Sequence, residues 1–329
     1  MAKTITVLGA TGNQGGAVAS FFKAQGWTVR GISRSASSAS SKTLISKGIS
    51  VVEADVDDFP TLISAFSGAH VIFAVTDFWA PFFETYPTLS KVSDRTTGEH
   101  ALAVEVRRGK TIVDAATKVL EEGNLERFVF STLPSFKDQS GGKYTYAYHF
   151  DAKALVSEYL KEQKALWEKS SLLNMGFYAT NLVTMGSVMG ANKEPNGNRI
   201  IWRRTGRNEA VHPFVVPNDT GIFVDLLVRS PPKQDLLGVS EMATYATFMS
   251  IWSEVTGVPS EVEQGTEDEA DKAHPGGLGR EAAESTSTSA EFGWGKHLVL
   301  PKDLDPNVKT TSLRGYFESE DWRPFLEDA

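Results

Sequence analysis

Thr4-Ile5-Thr6-Val7-Leu8 runs directly into Gly9-Ala10-Thr11-Gly12-Asn13-Gln14-Gly15-Gly16, and Ala17, Val18, Phe21 and Phe22 follow with helical spacing. The β-branched and apolar run predicts a strand, the glycines a turn, and the apolar repeat a helix. Glycines at 9, 12 and 15 let a backbone turn sharply and lie close to a pyrophosphate. The amides of the helix start then face its negative charge. A Gly-x-x-Gly-x-x-Gly alone is weak evidence, since it also occurs in turns that hold no ligand. Here it follows the first strand of the chain and opens a helix, the context that confirms a dinucleotide site.

The second strand is read at Trp27-Thr28-Val29-Arg30-Gly31-Ile32, and its end decides between cofactors. An acid there accepts from the ribose 2′-hydroxyl of NAD, whereas arginine with serine holds the 2′-phosphate of NADP. The chain has Ser33-Arg34-Ser35 and no acidic residue between Gly16 and Glu53. NADP(H) is therefore expected over NAD(H), held by Ser33 and Arg34. The serine-rich stretch Ser33 to Ser46 reads as a mobile loop that orders around the phosphate.

Strand and helix signals then alternate through Ile49–Glu53, Phe59–Phe66, Val71–Thr76, Thr111–Leu120, Arg127–Ser131, His149–Gln163 and Leu172–Gly176. This rhythm predicts an α/β fold, a doubly wound parallel Rossmann sheet with a smaller C-terminal α/β lid or substrate domain. The expected division is residues 1–180 for the NADP(H)-binding domain and 181–329 for the smaller substrate or partner domain, with part of 210–250 returning to the first. Ligands of such sheets sit beyond the carboxyl ends of the strands. Asp55, Thr76, Ser131 and the Phe177-Tyr178 corner occupy those ends. Between Phe78 and Thr97 lies an aromatic segment with Phe82, Phe83 and Tyr86. It reads as a substrate-shaping flap, a partner-docking surface or a helical extension packed on the core.

The 33 basic and 41 acidic side chains leave a net charge of −8, which disfavours direct nucleic-acid binding and anionic membranes. Trp202-Arg203-Arg204-Thr205-Gly206-Arg207 is a basic knot that reads as a surface turn. The absence of cysteine removes thiolate chemistry and fits a reducing compartment, so a cytoplasmic location, with the nucleus as an additional one, is expected. Six dispersed histidines form no ligand pair, and no metal is expected.

With the glycine turn, Ser33-Arg34, Glu53-Ala54-Asp55, Val75-Thr76-Asp77-Phe78-Trp79 and His149-Phe150-Asp151-Ala152-Lys153 in order, the chain resembles the NmrA-like family. These are atypical short-chain dehydrogenases/reductases that include a human NADPH sensor. The resemblance implies a cofactor shell of Gly9, Thr11, Gly12, Asn13, Gln14, Gly15, Arg34, Asp55, Thr76, Lys153, Phe177 and Tyr178. It also implies that Ser131 stands where the superfamily has its catalytic serine. The superfamily's tyrosine, four residues before the lysine, is replaced here by His149. Positions i and i+4 share a helix face, so His149 and Lys153 can meet at the nicotinamide, whereas Tyr148 is turned away by about 100°. A histidine at that place can act as general acid or simply pack. The resemblance implies a dinucleotide-responsive redox sensor or regulator working through a protein partner. The alternative is an NADPH-dependent oxidoreductase reducing a small carbonyl, enone or imine, with His149, Lys153 and Ser131 as its catalytic residues.

Overall fold

The computed structural model describes residues 2–184, 188, 191–194 and 199–328. Its N-terminal part alternates β1 (Thr4–Val7), α1 (Asn13–Ala24), β2 (Thr28–Ser33), α2 (Ala39–Ser46), β3 (Ser50–Glu53), α3 (Phe59–Phe66) and β4 (Val71–Val75). It continues with α4 (Trp79–Leu89), α5 (Thr96–Leu120), β5 (Arg127–Thr132), α6 (Phe136–Gln139), α7 (Tyr148–Glu162) and β6 (Ser170–Met175). A strand at Asp235–Gly238 completes a seven-stranded sheet in the order Asp235–Gly238, β6, β5, β4, β1, β2, β3. Every pairing in it is parallel. Such strands are buried on both faces, and their side chains divide accordingly. Val71, Phe73 and Val129 pack with Val18, Phe22 of α1 and Phe223 of the helix Thr220–Arg229. Their neighbours Ile72, Ala74, Phe128 and Phe130 pack with α3, α5 and α7 on the other side. The chain winds from β1 outward to β3, then returns to β4 beside β1. That reversal opens a crevice at the strand ends, where ligands of doubly wound sheets bind.

Two three-stranded sheets lie in the C-terminal part. One joins Phe177–Tyr178, His212–Val215 and Glu241–Ala243, and the other Asn192–Lys193, Ile200–Arg204 and Ser260–Gln264. Their shared core contains Trp202, Phe214, Phe248, Trp252, Trp294 and Phe317. The basic knot is therefore not a surface turn. Trp202 and Arg204 are buried, and Arg204 lies 4.8 Å from the Tyr245 ring centre. No helix among the described residues is long and apolar enough to cross a membrane.

Two elements depart from the sequence reading, and a third settles between its alternatives. Ser33 to Ser46 is not a loop throughout, because Ser38 caps α2 by accepting from Ser41 N. The aromatic segment is largely helix α4, packed as a helical extension: Phe82 and, just before the helix, Phe78 sit in a core with Ala101, Tyr148, Ala152 and Leu278. It is a packed wall. Helix α5 starts at Thr96 rather than near Thr111. Its buried stripe runs through Gly98, Ala101, Glu105, Gly109 and Ile112, so the helical period is present but carried by small or charged residues. The glycines are needed for closeness. A Cβ on Gly98 would lie 2.3 Å from the Tyr148 ring, and one on Gly109 2.3 Å from Val156, so α5 and α7 touch backbone to side chain.

Candidate functional site

The glycine turn forms as a tight cradle. Gly9 has φ +74°, the left-handed region, and Gly12 donates to Gly9 O at 2.9 Å. A Cβ on Gly15 would fall 2.3 Å from Gly9 O, so only glycine lets the first turn of α1 lie on the turn before it. At Gly12 the nearest atom to a Cβ is 3.5 Å away. The fold does not require its openness. Helix α1 has no side-chain cap and no acid in its first turn, which leaves its first amides for an anion. The residues thus fit a pyrophosphate. At the end of β2, Arg34 is exposed and has no hydrogen-bond or ion-pair partner among the described residues. Ser33 Oγ accepts from Ser41 Oγ at 3.0 Å and shapes the turn that carries Arg34. Asp55 closes a turn by accepting from Asp57 N at 2.9 Å.

Beyond the strand ends lies a cleft of about 300 Å³. Of the candidate residues it gathers Asn13, Gln14, Thr76 and Ser131, together with His149, Lys153, Phe177 and Tyr178. Gly9, Thr11, Gly12, Gly15, Ser33, Arg34 and Asp55 lie outside its lining, along the approach from the turn and the β2 and β3 ends. Phe78, Trp79, Phe150 and Trp294 add aromatic walls. A wider hollow of about 630 Å³ beside Lys193, Tyr316 and Trp322 contains none of the candidates.

Lys153 is 11% exposed, and its ammonium has three N–H groups to give. It donates to Thr76 O and Thr76 Oγ1, both at 3.0 Å, and to Glu105 Oε1. All three are used. Thr76 Oγ1 in turn donates to Glu105 at 2.6 Å. Lys153 therefore meets the residue that follows β4 and the buried glutamate of α5, and makes no hydrogen bond to His149. Ser131 Oγ donates to Gln14 Oε1 at 2.6 Å, tying the end of β5 to the first turn of α1. The Tyr178 hydroxyl is buried beside Gln14, and burial raises its titration.

His149 presents a different chemistry. Its Nδ1 meets Glu281 Oε1, and its ring lies 5.1 Å from Trp79 and 5.9 Å from Phe78. Nothing among the described residues hydrogen-bonds Nε2, and the ring lines the cleft. Tyr148, one position away, packs on Gly98 and accepts from Arg95 at 2.9 Å, while burial pushes its phenol up to about 12. It cannot take the place of the missing tyrosine. Behind the site, Asp151 accepts from Lys137 N at 3.1 Å, and burial raises its carboxyl above the usual range.

Glu105 and Glu281 escape a reading of the sequence. Glu105 sits on the buried stripe of α5, a position whose helical spacing could have marked it. Glu281 belongs to a helix, Leu278–Phe292, in a Ser/Thr-rich stretch with no apolar repeat, and nothing in the sequence marks it. Twelve of that helix's fifteen residues are buried, so its hydroxyls need acceptors inside the protein. Ser285, Thr286 and Thr288 give their hydrogens to carbonyls of the same helix.

Known proteins share this fold. The NmrA-like family domain-containing oxidoreductase FrzB of Cladobotryum sp is 27% identical over 270 residues, 77% of this chain and 73% of that one. Among solved structures, NmrA, a negative transcriptional regulator, superposes with a TM-score of 0.73 in its complex with NADP and 0.72 in its complex with NAD. Each comparison is 18% identical and covers 99% of this chain and 97% of the other. The NADPH-dependent quinone oxidoreductase QOR2 of Escherichia coli, complexed with NADPH, superposes at 0.65 with 16% identity, over 95% of this chain and 98% of that one. The family profile matches residues 1–322. With the doubly wound sheet, the glycine cradle and a match over that span, this chain belongs to the NmrA-like family.

Proposed function

We propose that the protein is an NADP(H)-dependent reductase of a small carbonyl, enone or imine, in which His149 delivers the proton. The observation that carries this reading is the aromatic-walled cleft lined by His149, whose Nδ1 meets Glu281 while no described residue hydrogen-bonds its Nε2. A partly enclosed cavity with aromatic walls and a histidine nitrogen left without a protein partner is a substrate site in its chemistry. A surface that only reports cofactor occupancy has no need of it.

The Gly9–Gly15 turn with Asn13 and Gln14 would hold the pyrophosphate, and Arg34 the 2′-phosphate. Thr76 and the Phe177-Tyr178 corner would flank the nicotinamide end. When bound, the reduced dinucleotide supplies a hydride to the substrate carbon. His149 Nε2 loses its hydrogen to the atom of the double bond that receives the electron pair, and takes another from water afterwards. Lys153, its three hydrogens already given, fixes Thr76 and Glu105 rather than donating a proton. Ser131 orders Gln14.

The test is NADPH consumption with a panel of carbonyls, enones and imines. Turnover with one class is expected, and His149→Phe should lower it by roughly a hundredfold or more while dinucleotide affinity stays nearly unchanged. No turnover with any class, together with protection of 33–46 and 78–97 from hydrogen exchange on adding NADPH, would instead support a regulator acting on a protein partner.

A further inference from the structure

Glu281 is 1% exposed and makes three contacts with the first turn of α7. One oxygen accepts from Tyr148 N at 3.1 Å. The other accepts from His149 N at 2.9 Å and meets His149 Nδ1. A single carboxylate thus fixes the backbone and the ring of one residue. An ionised carboxylate only accepts, so the ring nitrogen against it carries the hydrogen, and the neutral imidazole is the Nδ1–H tautomer. Glu284, three residues on, does the backbone half of this work alone. It accepts from Thr145 N at 2.6 Å and Tyr146 N at 2.8 Å and makes no hydrogen bond to a ring nitrogen.

We propose that Glu281 is a positioning residue that holds His149 as the Nδ1–H tautomer with Nε2 toward the cleft, and supplies the counter-charge for the imidazolium that gives up its Nε2 proton. The substrate step rests on the reductase reading; the tautomer does not. During turnover the Nε2–H bond breaks, the proton joins the substrate atom carrying the new electron pair, and water returns a proton to Nε2. Glu281 stays ionised throughout. The helix Leu278–Phe292 therefore enters the chemistry through one carboxylate, without touching substrate.

The test reads the ring nitrogens directly, by nitrogen-15 NMR of the whole protein labelled at histidine, with His149 assigned by its loss in His149→Phe. Wild type should show Nδ1 protonated and Nε2 bare when the ring is neutral. Glu281→Gln should give a mixture of tautomers and, with any reducible substrate, a kcat lower by roughly a hundredfold at an NADPH KM within about twofold. Glu284→Gln should lower the melting temperature and leave the tautomer and kcat close to wild type. An Nε2–H tautomer in the wild type overturns the proposal whether or not any variant folds. So does an unchanged tautomer in Glu281→Gln. A tautomer that shifts as expected in a protein that reduces nothing supports the positioning and sinks the reductase reading.

Discussion

The amino ends of α1 and α7 border the same cleft and treat their backbone amides in opposite ways. Helix α1 begins at a glycine with no side-chain cap and no acid in its first turn, so its amides and the positive end of its dipole are open. At the start of α7, amides of Thr145, Tyr146, Tyr148 and His149 are all taken by Glu281 and Glu284. An open end suits an anionic ligand that comes and goes. A closed end suits a side chain that has to stay in one place, and here that side chain is His149. The same electrostatics that attracts a pyrophosphate at one helix holds permanent carboxylates at the other.

The largest effect is expected where the open end depends on a missing side chain. In Gly15→Val the new Cβ would stand 2.3 Å from Gly9 O and 2.5 Å from Gly9 C, both backbone atoms that cannot swing aside. Dinucleotide binding should vanish and stability should drop by about 1–3 kcal/mol, the usual range for overpacking. Gly12→Ala is the contrast, since its Cβ meets nothing closer than 3.5 Å. It should fold as wild type and bind dinucleotide more weakly. Calorimetry and thermal melts on both proteins check this, and Gly15→Val binding NADP(H) normally would mean that α1 does not form the cradle.

The same contrast explains what the sequence disclosed. The glycines of the turn stand beside a strand with clear apolar character, and backbone geometry demands Gly9 and Gly15, so the Gly9, Gly12 and Gly15 pattern could be read directly. His149 and Lys153 were legible because i and i+4 fix a helix face, although the structure gives Lys153 to Thr76 and Glu105 rather than to His149. Gln14 and Ser131 were each singled out, yet their mutual bond joins elements 117 residues apart. The helix Leu278–Phe292 was hidden because its buried face consists of serine, threonine, alanine and two glutamates. Burial of such a face follows from tertiary acceptors and close approach, as where a Cβ on Gly279 would lie 2.0 Å from Ala270 O. Periodicity of hydrophobic residues carries no trace of either. Glu105 was missed for a related reason, being the polar member of a stripe of small residues.

On the proposed reading Arg34 would extend the open end toward a 2′-phosphate, and its effect should be smaller and confined to one cofactor. Arg34→Ala should weaken NADP(H) by roughly ten- to a hundredfold, or about 1.5–3 kcal/mol, and leave NAD(H) almost unchanged. Calorimetry with both dinucleotides decides it. If the unmutated protein binds them equally, the exposed guanidinium is an ordinary surface charge and the open end extends only to the pyrophosphate.

The smallest effect should come from the closed end, and its sign with pH makes it informative. Burial raises the Glu284 carboxyl above its usual value, and the amides of Tyr146 and Thr145 offset this only in part. The folded protein therefore holds the Glu284 proton more tightly than the unfolded chain does. Its contribution is fully present below the unfolded value and declines as pH rises through the folded one. Glu284→Gln, which keeps one accepting oxygen, should cost about 1 kcal/mol in acid and less at neutral pH. Asp57 provides the opposite slope. Arg108, helped by Arg107, holds its carboxyl at about 2, so its contribution is present above the unfolded value and lost as pH falls through about 2. The deficit of Asp57→Asn should accordingly shrink toward acid while that of Glu284→Gln grows. Denaturant unfolding at about pH 7, 4 and 2.5 measures both trends, that of Glu284 between the first two and that of Asp57 between the last two. Parallel slopes for the two variants would mean that Glu284 is ionised in the fold without penalty, and that the start of α7 is closed by geometry alone.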